Sequence, residues 1–455
     1  MDAGSEGTDT IVAAASAPGI GALAVVRISG MAAGGIAGRV LGGELPAVRR
    51  ATRMTLRGAA GEMIDDAVVI RYEAPHSYTG EDLVEFVCHG GWVTPPRVVA
   101  ALVEAGARPA LPGEFTRRAV INGKLDLLQA EAVNDLIRAD STAGARLALG
   151  QLDGGLSRRI SMLREQIIGL EALIAYEIDF PEEDDGPIDN ARIASATRDL
   201  ISALDRLVAT APIGELVRQG ALVTIIGAPN VGKSSLFNAL LGRNRALVTE
   251  IPGTTRDALD AVLDVSPIPL RLVDTAGLRD TTDLVEALGV AVSRDYLTRA
   301  QVVLACGDST ERLGDALEAA RAASGAVIPV VTKSDLTGAD EGEHSASAQG
   351  VVRVSAVSGE GLAALIARIG DVLIAGGQIP DADTPVVSHA RYRSVLLRAG
   401  AEVAEFRAAR QTGTLPPTVS AVHLREAVRI LEELIGVVDV EDVLGRVFST
   451  FCVGK

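Results

Sequence analysis

Eight residues, Gly227-Ala228-Pro229-Asn230-Val231-Gly232-Lys233-Ser234, constrain this chain more than any other segment. They follow an apolar, β-branched run over 222–226 and open a helical pattern over 236–241. Strand, glycine loop and helix in that order are what a phosphate-binding loop needs. Loop N–H groups and the positive end of the helix then converge on one anion. Lys233 supplies a point charge for the outer phosphates and Ser234 a hydroxyl for magnesium, while Val231, Gly232 and Ser235 complete the cradle. An ordinary glycine-rich turn between strand and helix has no need of the Lys-Ser ending.

Three further segments follow in a matching order. Asp274-Thr275-Ala276-Gly277 ends an apolar run over 270–273; Asp274 can hold the magnesium hydration shell and Gly277 lets the backbone approach the last phosphate. Thr332-Lys333-Ser334-Asp335 ends a buried-strand pattern over 327–331, and Asp335 can accept from the guanine ring N–H and amino groups. Ser355-Ala356-Val357 follows a strand over 351–354 and would close over the base. Together these predict a guanine-nucleotide domain over 217–375. Thr332 stands where Asn is usual, which predicts looser guanine affinity.

Between the phosphate loop and Asp274 lies Thr249-Glu250-Ile251-Pro252-Gly253-Thr254-Thr255-Arg256-Asp257. Thr255 is positioned to ligate magnesium. Loop carbonyls and the Asn230 side chain could hold a monovalent cation against the transferring phosphoryl group, with Arg256 a competing source of that charge. Leu278 occupies the position where many GTPases carry a water-orienting Gln, so a substitute is needed. Glu286 is the best candidate, although its local pattern by itself favours an exposed helix carboxylate.

The chain has 455 residues, enough for two to four domains. It is 48% apolar and only 3% aromatic, so aliphatic and alanine packing must build its cores. With 43 basic and 59 acidic residues the formal charge is −16, which excludes a strongly basic nucleic-acid binder acting alone. Three cysteines without paired spacing predict a reducing compartment, with Cys88 and Cys306 in the core. No apolar run reaches transmembrane length and the first nine residues are polar and acidic, so no membrane association and a cytoplasmic location are expected.

The expected fold is multidomain, α/β plus α. Residues 1–121 read as mixed α/β, with strands over 10–14, 22–28, 67–72 and 83–87 and a helix over 96–105. Pro18-Gly19-Ile20-Gly21 precedes a strand instead of opening a helix, so it is no dinucleotide fingerprint. Helices are predicted from 125, over 157–178 and over 191–210, the second broken by Pro181 and a solvated acid run over 182–185. Residues 376–385 read as a linker. Helices follow over 388–410 and, after a stop near Pro416-Pro417, over 420–435. The two helical parts, 122–216 and 376–455, predict one bundle with the Ras-like nucleotide domain inserted in it.

Motifs outside the nucleotide domain are more specific. They are Asp9-Thr10-Ile11-Val12-Ala13, Arg27-Ile28-Ser29-Gly30, Ser77-Tyr78-Thr79-Gly80-Glu81-Asp82, His89-Gly90-Gly91, Pro112-Gly113-Glu114-Phe115-Thr116-Arg117-Arg118-Ala119, Lys124-Leu125-Asp126-Leu127 and the ending Phe451-Cys452-Val453-Gly454-Lys455. With them the chain resembles, over nearly its whole length, the MnmE (TrmE) family of tRNA-modification GTPases. The resemblance implies an N-terminal tetrahydrofolate-binding and dimerisation domain, a helical domain and an inserted GTPase domain. It implies a homodimer joined by the flavoprotein MnmG, with its FAD and NADH, in a heterotetramer that modifies the wobble uridine of certain tRNAs. A formyl- or methylene-tetrahydrofolate would supply the one-carbon unit, and GTP hydrolysis would be stimulated by K+.

Carried over by position, the potassium ligands are Asn230, Thr249, Ile251 and Thr254, the magnesium ligands Ser234 and Thr255, and the catalytic carboxylate Glu286. The folate contacts are Arg27, Glu85, Lys124 and Lys455. A carboxylate suits the amidine-like edge of a pterin, and cations suit the glutamate tail. Cys452 matches a cysteine linked to the modification chemistry, as acid, base or nucleophile. A ribosome-assembly GTPase would bring a second phosphate loop or a basic Gly-x-x-Gly unit, and the sequence has neither. A plain folate aminomethyltransferase with a regulatory GTPase would leave tRNA nucleosides unaffected. The acidic chain offers no evident basic stripe, so the flavoprotein is expected to hold most of the tRNA.

Overall fold

The computed structural model describes residues 9–179, 190–243, 246–247, 259–265, 268–274, 296–336, 350–374, 384–413, 416–436, 447–448 and 451–454. Contacts divide the chain into two compact units: Met1–Asn134 with Arg429–Lys455, and Asp135–Val428.

The first unit is built on six strands: β1 (Ile11–Ala14), β2 (Leu23–Ser29), β3 (Thr52–Arg57), β4 (Met63–Tyr72), β5 (Leu83–His89) and β6 (Arg108–Pro109). They pair in the order β3-β4-β5-β2-β1-β6, antiparallel except for β1 with β6. Alternation decides the faces. Val26, Ile28, Val84 and Phe86 point to one side and are fully buried with Ile36, Ala37, Val98 and Leu102 of the helices Ala33–Val40 and Thr94–Glu104. Arg27 and Glu85 point to the other side, directly opposite each other across β2 and β5. The helix Ala33–Val40 and strand β3 have no counterpart in the sequence reading. Three glycines in Ala-Gly-Gly-Ile-Ala-Gly-Arg-Val erase the helical propensity, and burial of Ala33, Ile36, Ala37 and Val40 restores the helix.

The second unit holds seven strands: β7 (Ala221–Ile226), β8 (Ala246–Leu247), β9 (Leu259–Leu263), β10 (Leu270–Asp274), β11 (Val302–Gly307), β12 (Ala326–Val331) and β13 (Val352–Arg353). Their order is β13-β12-β11-β7-β10-β9-β8. β7 pairs in parallel with both β10 and β11, while β8 and β9 form an antiparallel edge. Because the chain leaves β7 for opposite sides of the sheet, a crevice opens at its carboxyl end, where open α/β sheets bind ligands. Cys306 lies fully buried in this core and Cys88 in that of the first unit, as expected. Burial, followed by the nearby Asp65 carboxylate, pushes the Cys88 thiol up.

Helices Thr142–Leu152, Gly155–Asp179, Asn190–Val208 and Ala211–Gln219 precede β7, and Ala390–Thr412 and Pro417–Ile435 follow the nucleotide domain. The two groups meet: Gln151 Nε2 donates to Ser388 Oγ at 2.8 Å, and Arg410 bridges Glu177 at 3.0 Å and Asn190 at 2.7 Å. Two details correct the sequence reading. Thr142–Leu152 is a separate helix, with the Ser141 hydroxyl accepting from Gly144 N at 3.1 Å. Pro417 opens the last helix; proline is tolerated there because its missing N–H would have no intrahelical partner.

Candidate functional site

The nucleotide edge is assembled from strand ends. Gly227 has φ +149°, and any Cβ there would overlap the Cys306 carbonyl oxygen, so the loop can pass β11 only as glycine. Asn230 and Gly232 also take positive φ, 62° and 96°, turning the loop into the helix Lys233–Arg243. Lys233 is buried, and its Nζ donates to the Ala228 carbonyl at 2.9 Å, which keeps the ammonium over the loop. Ser234 and Ser235 are exposed at the helix start, where a hydroxyl can reach a cation. Asp274 ends β10 in register with Ile225 of β7, so its backbone lies beside the loop. Magnesium chemistry fits a hydroxyl beside an anion cradle.

Thr332 is the informative departure. Its buried hydroxyl donates to the carbonyl of Val231 inside the phosphate loop and lies 3.3 Å from that of Gly307. Lys333, at φ +56°, extends Nζ to the Asn230 carbonyl at 2.7 Å and to Asp308 at 2.8 Å. The Lys333 hydrogen bond, with help from Arg312, holds the Asp308 carboxyl below its ordinary range. The short threonine thus ties base-recognition and phosphate loops together. Ser334 N donates to Val354 O at 3.2 Å, Ser355 is fully buried, and Asp335 and Val357 are exposed, with Ala356 between the last segment's buried and open ends.

The second constellation lies in the first unit. Arg27 reaches Glu85 Oε1 with Nη2 at 2.7 Å and Nε at 2.9 Å; their side chains are only 15% and 19% exposed. The guanidinium also sits 5.0 Å from the Tyr78 ring centroid and 5.8 Å from that of Phe115. Glu85 lines a cavity of about 310 Å³ together with Lys124, Tyr72, Tyr78 and Arg49. Burial, then the Glu85 charge, pushes the Tyr72 hydroxyl up; burial alone does the same for Tyr78. The volume is at the small end of ligand sites, suited to a bicyclic ring with its tail outside. Aromatic walls, one carboxylate and two cations fit a pterin. Arg49 and Tyr72 escaped the sequence reading, since nothing in the local pattern marks them.

An ion network frames this region. Arg108 and Arg118 clamp Asp9 and Glu114, and Arg118 lies 3.2 Å from Glu81. Burial pushes Glu114 and Asp9 up, but hydrogen bonds from the two arginines outweigh it and hold both carboxyls below their ordinary range. The carboxyl-terminal segment docks here: Gly113 N donates to the Cys452 carbonyl at 3.2 Å, and Phe448 and Phe451 are buried with ring centroids 5.1 Å apart. The Cys452 side chain is exposed. Thr249 to Thr255 including Glu250, Ile251, Pro252, Gly253 and Thr254, then Thr275, Ala276, Gly277, Glu286 and Lys455, lie outside the described residues. Among the described residues, no cluster of His, Cys, Asp and Glu could hold a metal ion, and no helix is long and apolar enough to cross a membrane.

Two family models match the chain. "GTP-binding protein TrmE N-terminus" covers residues 10–124 and "MnmE helical domain" covers 127–452. Curated relatives named "tRNA modification GTPase MnmE" include those of Moorella thermoacetica, 40% identical over 98% of this chain and 99% of that protein, and Azoarcus sp., 42% identical over 98% of each. The Aquifex aeolicus protein is 38% identical over 98% of this chain and 100% of that one. A solved G domain of the T. maritima FeoB iron transporter is 28% identical, covering 33% of this chain and 98% of that one at a TM-score of 0.26.

Proposed function

The chain belongs to the MnmE family, and on that premise we propose a potassium-stimulated GTPase that works on the wobble uridine of tRNA. With a flavoprotein of the MnmG type, which brings FAD and NADH, it builds an aminomethyl-type group from a tetrahydrofolate-carried carbon. The proposed division is a folate-binding domain over 1–121, a helical domain over 122–216 and 376–455, and the GTPase domain over 217–375. The protein is proposed to act as a cytoplasmic homodimer within a heterotetramer.

The observation that carries this reading is that Glu85, held by its ion pair with Arg27, shares one cavity with Lys124, far from Lys233 in sequence. Two ligand sites of different chemistry in one chain suit a switch coupled to a transfer reaction. At the nucleotide edge, Lys233 and the loop N–H groups neutralise phosphate charge, and Ser234 and Thr255 are the magnesium donors. Magnesium supplies further charge neutralisation when bound. Asn230, Thr249, Ile251 and Thr254 offer oxygens to potassium, and Glu286 orients water. In the N-terminal cavity, Glu85 meets the pterin edge, while Arg27, Lys124 and Lys455 meet carboxylates.

The test is mass spectrometry of tRNA wobble nucleosides from a deletion strain. Loss of the modified uridine is expected. Unchanged nucleosides would reject the reading in favour of a folate enzyme without a tRNA substrate.

A further inference from the structure

The helices Gly155–Asp179 and Asn190–Val208 leave an open groove of about 600 Å³ between them. Arg159, Arg192 and Arg206 line it, with Asp199 as the only carboxylate among its lining residues. Nearby arginines are neutralised: Arg158 by Asp153, Arg164 by Glu165, Arg410 by Glu177 and Arg425 by Glu171. In contrast, Arg159, Arg192 and Arg206 are paired with no carboxylate among the described residues; Arg206 bonds the Ser202 hydroxyl at 2.7 Å. Three cations against one carboxylate make this groove positive on a chain whose formal charge is −16.

We propose that this groove is a binding site for the phosphate backbone of RNA. Arg192 and Arg206 are fourteen residues apart on one helix, which at 1.5 Å per residue is about 21 Å, a span of several successive phosphates. Gln166, exposed between the ends, can bond a phosphate or ribose hydroxyl. Gly169 lies on the groove, and a Cβ there would have nothing within 4 Å, so its floor is clear. A ligand of one phosphate would need the cations gathered at one point. The spread along the helix suits an extended polyanion, which is read by charge and shape without base contacts. The inference rests on tRNA being the substrate, and it adds to whatever surface the flavoprotein provides.

The test measures binding of a labelled, unmodified tRNA transcript to the full-length protein, alone and with the flavoprotein, between about 50 and 200 mM salt. The triple variant Arg159→Glu, Arg192→Glu, Arg206→Glu should raise Kd on the order of 10-fold or more, and flatten the log–log salt slope by about 2 to 3. Gly169→Glu should weaken binding in the same direction. A Cβ there meets nothing within 4 Å and helix propensity rises, so the thermal unfolding temperature of this variant should stay at the wild-type value. Replacement of the three arginines by Lys should keep binding, because phosphate contacts accept a point charge. Wild-type affinity and slope in the Glu variants overturn the proposal. So does a loss of flavoprotein binding with tRNA binding intact, which would make the groove a protein contact. Failure of the functional reading is separate: it appears as unchanged wobble nucleosides in the deletion strain.

Discussion

Gly454 is the position where one methyl group should disconnect the carboxyl-terminal tail from the rest of the chemistry. Its φ is +96°, and a Cβ there would overlap the carbonyl oxygen of Ala14, at the end of β1. In Gly454→Ala the left-handed backbone alone costs about 1–2 kcal/mol. The overlap adds to this, because Ala14 is fixed in register with Val26 of β2 and cannot give way. Burial of Phe448 and Phe451, about 1.5–3 kcal/mol each, keeps the preceding residues attached. The last residues therefore move while the anchor holds. A net loss of about 2–3 kcal/mol lowers the docking equilibrium constant roughly 30- to 150-fold. Calorimetry should then show folate affinity falling by up to that factor, and wobble-uridine modification should fall with it. GTPase rate and thermal unfolding temperature should stay near wild type. Native folate affinity together with native modification would refute the reasoning, since the tail would then be dispensable to the pocket.

Other expectations follow from the same geometry. Thr332→Val removes the hydroxyl that meets the Val231 and Gly307 carbonyls, a cost of about 1–3 kcal/mol, and GTP affinity by fluorescence titration should drop correspondingly; an unchanged Kd means the phosphate loop needs no tether. Asp9 and Glu114 have native pKa values below their unfolded ones, so the unfolded chain takes up protons first as pH falls. Their contribution is fully present above about pH 4–5 and disappears as pH drops through the lowered native values; acid unfolding of Arg108→Ala should begin at higher pH, and an identical acid midpoint removes the network from the stability account. Replacing sodium by potassium should raise the GTPase rate, and Glu286→Ala should slow hydrolysis on the order of 100-fold with GTP affinity preserved; equal rates in the two salts, or full activity in the variant, dismiss the corresponding role. Cys452→Ser should keep GTPase activity and abolish modification, and persistence of the modified uridine would make the thiol unnecessary.

Local pattern carried the nucleotide domain because each of its parts is contiguous. Strand, glycine loop and helix occupy neighbouring residues from Ala221 to Arg243, and their order alone implies a cradle. The N-terminal cavity has the opposite character. Arg27, Arg49, Glu85 and Lys124 come from different strands and loops, and pairing across β2 and β5 is what sets Arg27 against Glu85. Only the family resemblance pointed to three of them, and Arg49 stayed invisible. Helix Ala33–Val40 was hidden for a related reason, since its glycines oppose the helix and long-range burial overrides them.

Sequence by itself determined that guanine-nucleotide chemistry is built here, that aliphatic cores support it, and that Cys88 and Cys306 belong to those cores. Tertiary structure alone decided that Thr332 grips the phosphate loop, that Gly454 lies against β1, and that arginines with no carboxylate partner among the described residues share one groove. The physical reason is range. Backbone propensity and motif spacing act over a few residues, whereas cavities and charge patches depend on which distant segments the packing brings within a few ångströms.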